Sequence, residues 1–363
     1  MDEIVVIRLQ GDQVEGWPSL WHIKPLNVLV AAYVDDLVVA GPQESVPMFW
    51  QMLSQYITVD TIEEPGRYLG RDHLIFEFGG RQIYMSMCDY AVSSYQLYED
   101  QFGKKLKVYE TTFVSEATLT PQGYEEPGQL SGKAAQLLMK LLWLARLSRP
   151  DISFAITSLA SHIARWTRNH DLMLYRLLGY VKGSVDLGVL GTISANHSIP
   201  RLDLFADADL AGDPMTMKSH SGHYVIIQDD HGTAFPIYWG AKKQACVSRS
   251  TTEAEIVSAS VLVFEEGVPI KTVIELVLGG EVTTTLREDN SAVMTILQNG
   301  FSPKLKSLNR THKISVASLA EAVNQGLITA VYTPTKEQRG DIFTKALGRV
   351  QFHAPSNCHF SLL

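Results

Sequence analysis

Apolar residues crowd "NVLVAAYVDDLVVAG", residues 27–41, on either side of two adjacent acids, and the run closes at Gly41-Pro42. This pattern predicts two buried strands meeting at a turn that holds Asp35 and Asp36. "ESVPMFWQMLSQY" has helical spacing, with Pro47 acceptable only in its first turn. "YITVD", "RYLGRDHLIFEF" and "RQIYMSM" read as strands, with Gly79-Gly80 as a hairpin turn. A helix is expected from Asp89 to Phe102. Residues 110–130 carry Pro121, Gly123, Pro127 and Gly128 and read as loop. Residues 131–183 show helical periodicity, broken at Pro150 and near Asn169. The segment "DLGVLGTISANHSIP" is rich in turn residues, and a domain boundary is placed close to Ile199.

Beyond that boundary the pattern changes. "RLDLFADADLAGD" reads as a strand ending in acids, and "GHYVIIQDDHGTAFPIYWGAKKQACVSRS" as two more strands. "STTEAEIVSASVLVFEEG" is a helix. "VTTTLREDN" is a strand, followed by the helix "SAVMTILQNG" with Asn299-Gly300 at its end. "ISVASLAEAVNQG" is another helix, "LITAVYTP" a strand, and "TKEQRGDIFTKAL" a helix whose start fits a Thr335/Gln338 capping box. Three strands, a helix, then strand–helix alternation predict an α/β (α+β) domain: a mixed sheet with helices packed on it.

Composition narrows the class. The 363 residues suit two domains, and 45% apolar content suits folded cores. A net charge of −8 argues against general attraction to nucleic acid, so such a partner would need a local basic patch or bound metal ions. Cys88, Cys246 and Cys358 have neither zinc spacing nor a disulfide framework. No signal peptide and no span of ~20 apolar residues is visible, which points to an intracellular, non-membrane protein.

Four carboxylates fall at element ends or on helices that can face the sheet: Asp207, Glu255, Asp289 and Asp341. Oxygen ligands gathered at one point suit Mg²⁺, and a pair of such ions serves phosphodiester cleavage. The pattern alone leaves rivals open. An aspartate at a strand end is commonly a turn or cap residue. "STTE" offers Glu253 as a capping-box acid, "TEAE" offers Glu255, and Asp209 competes with Asp207.

"FADADLAGD", "KSHSGHYV", "WGAKKQACVSRSTTEAEIVS", "EDNSAVMTI" and "YTPTKEQRGDIFTKAL" resemble, in order, the ribonuclease H region of copia-type (LTR) retrotransposon Pol polyproteins. "YVDDLVVAG", "GRYLGRDH", "LARLSRPDISFAITSLA" and "LLGYVKGSVDLGVL" resemble the end of the reverse transcriptase of the same elements and its connection. The resemblance covers residues ~28–349. It implies an incomplete reverse-transcriptase palm over 1–110, a helical connection over 111–198, a ribonuclease H-like domain over 199–349 and a tail over 350–363. It also implies metal-binding and catalytic roles for Asp207, Glu255, Asp289 and Asp341, with Glu253 left as the helix cap. Two Mg²⁺ ions, with Mn²⁺ as substitute, and an RNA–DNA hybrid substrate follow from it. Other Pol or Gag components are further expected partners, and the setting is cytoplasmic or nuclear. Two positions depart from the family pattern. His312 precedes Lys313 in "RTHKISV", and Gly340 stands where Ala is common. A glycine inside a helix costs ~1 kcal/mol, which would loosen the helix expected to carry Asp341.

Tyr33, Val34, Asp35 and Asp36 match the family's polymerase turn. With 34 residues before Asp35, the chain is expected to begin inside the palm and to hold half a polymerase site. Lys304, Lys306, Arg310, His312 and Lys313 form a local basic stretch able to meet phosphates. The expected activity is metal-dependent cleavage of RNA in hybrids. The alternatives are a decayed remnant that at most binds nucleic acid, and a polymerase half acting with a separate chain.

Overall fold

The run after Asn27 forms two antiparallel strands, Val28–Tyr33 and Asp36–Ala40, joined through Val34 and Asp35. The second of them has no fully buried residue, so the pair is half-buried rather than enclosed as expected. The structure is a computed structural model describing residues 3–77, 80–194, 200–353 and 360–362. The expected turn at Gly79 and the expected boundary at Ile199 lie outside the described residues, as do residues 354–359 and 363 of the expected tail. Among the described residues, no helix is long and apolar enough to cross a membrane.

Chain contacts separate two units. One is Met1–Gly66 with Gly267–Val282. It is a four-stranded antiparallel meander: β1 Gly11–Gln13, β2 Leu20–Ile23, β3 Val28–Tyr33 and β4 Asp36–Ala40. Trp21, Ile23, Val28 and Val30 pack with Phe49 and Leu53 of the helix Ser45–Leu53. Pro47 does sit in that helix's first turn. "YITVD" is not a strand. The Tyr56 and Ile57 amides bond back to the Leu53 carbonyl, so the helix end unwinds through this segment.

The other unit is Arg67–Glu266 with Thr283–Leu363. One sheet has β5 Arg67–Tyr68, β6 Arg71–Glu77, β7 Gly80–Ser86, β8 Leu187–Ser194 and β14 Phe360–Leu362. The turn signals of residues 186–194 misled: they form β8, paired antiparallel with β7. Gly188 and Gly191 are there for space, since a Cβ would lie 2.5 Å from the Met85 carbonyl oxygen or 2.4 Å from the Phe235 ring.

The second sheet has β9 Arg201–Ala208, β10 His220–Gln228, β11 Ala234–Lys243, β12 Thr284–Glu288 and β13 Thr329–Tyr332, in the order β11-β10-β9-β12-β13. β9, β10 and β11 are antiparallel, while β12 runs parallel to β9 and β13 parallel to β12. This is the mixed α/β arrangement that the resemblance implies. The helices Ala134–Leu147, Ser153–Ala160 and Arg168–Gly183 share a core with it through Phe205, Tyr224, Ile226 and Trp239. The Trp239 indole N–H donates to the Ala145 carbonyl at 2.8 Å, which fixes the helices in register with β11.

A buried charge network stitches the helical segment. The Arg149 guanidinium, 1% exposed, donates to both Asp151 carboxylate oxygens and to the Ser184 carbonyl. The Tyr180 hydroxyl donates to Asp151 at 2.6 Å.

The last expected helix did not form. Residues 335–345 instead make two 3₁₀ turns, Thr335–Glu337 and Asp341–Phe343. The reason is tertiary. The Gln338 side chain, expected to cap, is buried and donates to the Ala206 carbonyl at 3.0 Å and the Arg287 carbonyl at 3.2 Å, tying this segment across β9 and β12. Gly340 is not a weak point in a helix. A Cβ there would lie 2.8 Å from the Asp207 Cβ and 3.0 Å from its amide nitrogen, so the glycine permits the segment to lie against β9.

Candidate metal centre

Side chains alternate along a strand, so Asp203, Phe205 and Asp207 of β9 share a face. Asp207 lies one residue from the strand's end, and Asp289 directly follows β12, the parallel neighbour of β9. The two acids therefore emerge at the same edge of the sheet. The helix Thr251–Val261 supplies the third. Ser250 caps it in extended conformation, its hydroxyl accepting from the Glu253 amide at 3.2 Å.

That cap separates the two glutamates. Glu253 turns to the helix start, where it accepts from the Arg249 amide at 3.3 Å and lies 3.7 Å from His312 Nε2. Residues two apart on a helix point ~200° apart, and Glu255 faces the acids. One carboxylate oxygen each from Asp207, Glu255 and Asp289 lie within 4.8 Å of one another. Asp209 does not join them, because it accepts from the His220 amide of β10.

The segment 335–345 holds these ligands in place. Thr335 Oγ1 donates to Asp289 Oδ2 at 2.7 Å, and Thr344 Oγ1 donates to Asp207 Oδ2. Ser258 Oγ donates to the Asp207 carbonyl at 2.8 Å, anchoring helix to strand. Asp341 sits beside the triad and shares Lys345 with Asp207: the ammonium lies 2.6 Å from Asp341 Oδ1 and 3.2 Å from Asp207 Oδ2. An open cleft lined by Asp207, Glu255, Asp289, Asn290, Ser291 and Lys345 gives access.

The acids crowd one another, and Lys345 offsets only part of their mutual repulsion. Burial first, then Asp207, Glu288 and Asp289, push the Glu255 carboxyl well above the ordinary glutamate range. Glu288, fully buried on β12, is pushed up to about 8, chiefly by burial. Burial and Asp207 raise Asp341. Glu255 Oε2 and Glu288 Oε2 have no hydrogen-bond partner among the described residues. A buried carboxylate oxygen without a donor is costly, and a cation relieves it. An all-oxygen donor set of this kind fits Mg²⁺ or Mn²⁺.

The sequence pattern does not reveal Glu288, Thr344 and Lys345 as part of the site, and it offers Thr335 and Gln338 only as a helix cap. Thr344 and Lys345 lie inside the "TKAL" motif, and the spacing of four between Asp341 and Lys345 is the local signal for their ion pair.

The remaining candidates lie elsewhere. Tyr33, Val34, Asp35 and Asp36 occupy the exposed β3–β4 turn, with Val34 at φ 55°, a strained conformation for a β-branched residue. Among the described residues, Asp35 and Asp36 join no cluster of three potential ligands. Lys304, Lys306, Arg310 and Lys313 are exposed. The His312 side chain is not: it is buried against Glu253 and Ser248, and burial lowers its pKa. It is packed inside the protein rather than free on the surface to meet phosphate.

Similarity to known proteins bears on all of this. Over 205 residues, 56% of the chain, it is 29% identical to the retrovirus-related Pol polyprotein from transposon RE2 of Arabidopsis thaliana. Over 333 residues, 90% of the chain, it is 23% identical to the one from transposon TNT 1-94 of Nicotiana tabacum. The chain is a homologue of copia-type retrotransposon Pol polyproteins. The matched regions span 13% and 24% of these two relatives' lengths. No protein-family model matches. Among solved structures, an LC11-RNase H1 from compost aligns at 16% identity and a TM-score of 0.24, over 40% of this chain and 92% of that one.

Proposed function

We propose that this Pol homologue is a ribonuclease H that cleaves the RNA strand of RNA–DNA hybrids with a divalent cation, Mg²⁺ or Mn²⁺. The convergence of Asp207, Glu255 and Asp289 at one sheet edge supports the reading. These three residues would hold the metal, with Asp341 alongside. Such a cation activates water and steadies a leaving oxygen in phosphodiester cleavage.

The chain's own groups have separable tasks. Thr335 and Thr344 orient the Asp289 and Asp207 carboxylates, and Ser258 holds the Glu255 helix against β9. The open cleft beside the triad would admit the substrate. Lys304, Lys306, Arg310 and Lys313 are exposed and would meet phosphates, while recognition of the hybrid would rest on groove shape and 2′-hydroxyls. Residues 1–110 and 111–198 are read as palm and connection, with the Tyr33–Asp36 turn making no contribution to cleavage.

The test is incubation of the purified chain with a labelled RNA–DNA hybrid, in Mg²⁺ and in chelator. Cleavage confined to the RNA strand, lost in chelator and in Glu255→Gln, is expected. Binding without cleavage would instead support a non-catalytic remnant. Primer extension by the chain, abolished by Asp36→Asn, would return the polymerase turn to the mechanism.

A further inference from the structure

Away from the acids, one face of the second sheet is basic. Side chains alternate along a strand, so Arg201, Asp203 and Phe205 share that face of β9. The parallel register sets Arg287 of β12 beside Phe205. Asp203 is fully buried and is engaged by Arg201 at 3.3 Å and by Arg287 at 3.1 Å. Arg201 also reaches Asp230, at 3.0 Å. A third arginine is laid across the same strands. The Gln338 side chain is fastened to the Ala206 and Arg287 carbonyls, and Arg339 follows directly after it. The Arg339 guanidinium carbon lies 5.5 Å from the centre of the Phe205 ring.

Arg339 has no acid of its own among the described residues. Asp203 is taken by the other two arginines, and Glu337, two residues away, is exposed and lies 3.9 Å from Lys336. Arg339 Nη1 is buried and has no hydrogen-bond partner among the described residues. Stacking on Phe205 does not meet that need. It uses the flat face of the guanidinium, whereas the N–H donors radiate in its plane. A buried charged donor without an acceptor is costly. The fork of donors matches an oxyanion. With Arg287 alongside, a phosphate group suits the place best, because its several oxygens can serve more than one guanidinium.

We propose that Arg339, stacked on Phe205 beside Arg287, is an oxyanion site that takes a phosphate group. That group comes from a nucleic-acid backbone or from free phosphate, since both offer the same oxygens to the fork. Arg339 is the residue that binds, and Arg287, held by Asp203, adds charge. Stacking on Phe205 fixes the guanidinium plane in advance, which lowers the ordering cost of binding. The site needs no metal and uses none of the acids that would hold one.

The experiment follows the Nε–H magnetic resonance of Arg339 in the full wild-type chain, in chelator and at constant ionic strength. The resonance is assigned by its absence from Arg339→Lys and from Arg339→Gln, so either folded variant suffices. Inorganic phosphate is expected to shift it saturably, in the millimolar range. Acetate, a carboxylate with less charge and fewer oxygens, is expected to bind at least about five-fold more weakly. A shift produced by an RNA–DNA hybrid and reversed by free phosphate would identify a backbone phosphate as the occupant. A response to inorganic phosphate alone would identify the free ion. No saturable response to phosphate, or an equal or stronger one to acetate, as an acidic peptide site would give, overturns the proposal. Hybrid cleavage at Asp207, Glu255 and Asp289 is measured apart from this resonance, so the two readings succeed or fail separately.

Discussion

Replacing Glu288 with Gln should stabilise the metal-free protein, and only at high pH. Glu288 is fully buried on β12, next to Asp289, with one carboxylate oxygen accepting from the Asn290 amide at 2.9 Å and the other without a partner. Its carboxyl is raised from 4.5 to about 8. Between those values the folded chain keeps a proton that the unfolded chain releases. The group's stabilising contribution is therefore complete below pH ~4.5 and is lost as pH rises toward ~8, at ~1.4 kcal/mol per pH unit. The full interval sets a ceiling of ~5 kcal/mol, and relaxation around the charge brings a floor of ~2 kcal/mol. Glutamine retains an acceptor for the Asn290 amide and carries no charge at any pH. Relief of Glu255, whose carboxyl Glu288 also raises, adds in the same direction. The assay is urea unfolding of wild type and Glu288→Gln in chelator at pH 5 and pH 8.5. The difference between them should grow by ~2–5 kcal/mol in favour of the variant as pH rises. Parallel pH profiles, or a variant that weakens relative to wild type at high pH, would refute the argument that Glu288 ionises under strain.

Three further outcomes follow from the same geometry. Glu255→Gln should abolish Mg²⁺-dependent hybrid cleavage with little change in thermal midpoint, whereas Glu253→Gln should keep cleavage and cost ~1–2 kcal/mol, because its carboxylate serves Arg249 and His312; the reverse pattern in cleavage rates would show that the wrong glutamate has been assigned. Arg149→Met should cost ~3–5 kcal/mol in chemical denaturation by stranding the buried Asp151 carboxylate, and a loss below ~1 kcal/mol would mean that water reaches the network. Gly340→Ala should cost ~1–3 kcal/mol and weaken Mn²⁺ binding together, since the new Cβ would press on Asp207; unchanged stability and affinity would show that the 335–345 segment moves aside freely.

Much of this protein was legible in the linear pattern. Strand alternation marked β9, β10 and β11, and helical spacing marked the Cys88–Phe102 and Thr251–Val261 helices, because each signal is local and spans a few turns or pleats. The Ser250 cap was legible for the same reason: its partner, the Glu253 amide, is three residues away. The acids of the triad could be named from motifs, but their convergence could not be computed from spacing, since Asp207 and Asp289 meet only through the parallel pairing of β9 with β12. Where long-range contact competed with local preference, contact won. Turn-prone glycines entered β8 because neighbouring atoms leave no room for a Cβ, and a helix-like stretch became 3₁₀ turns because Gln338 bonds carbonyls of residues 206 and 287. Thr344 and Lys345 reach Asp207 across more than 130 positions, so nothing near them in the chain announces that role. Glu288 looks like any acid at a strand end until the sheet buries it. Residue types and periodicity set which elements form. Desolvation, charge proximity and steric exclusion act between chain-distant groups, and they exist only once those elements have packed.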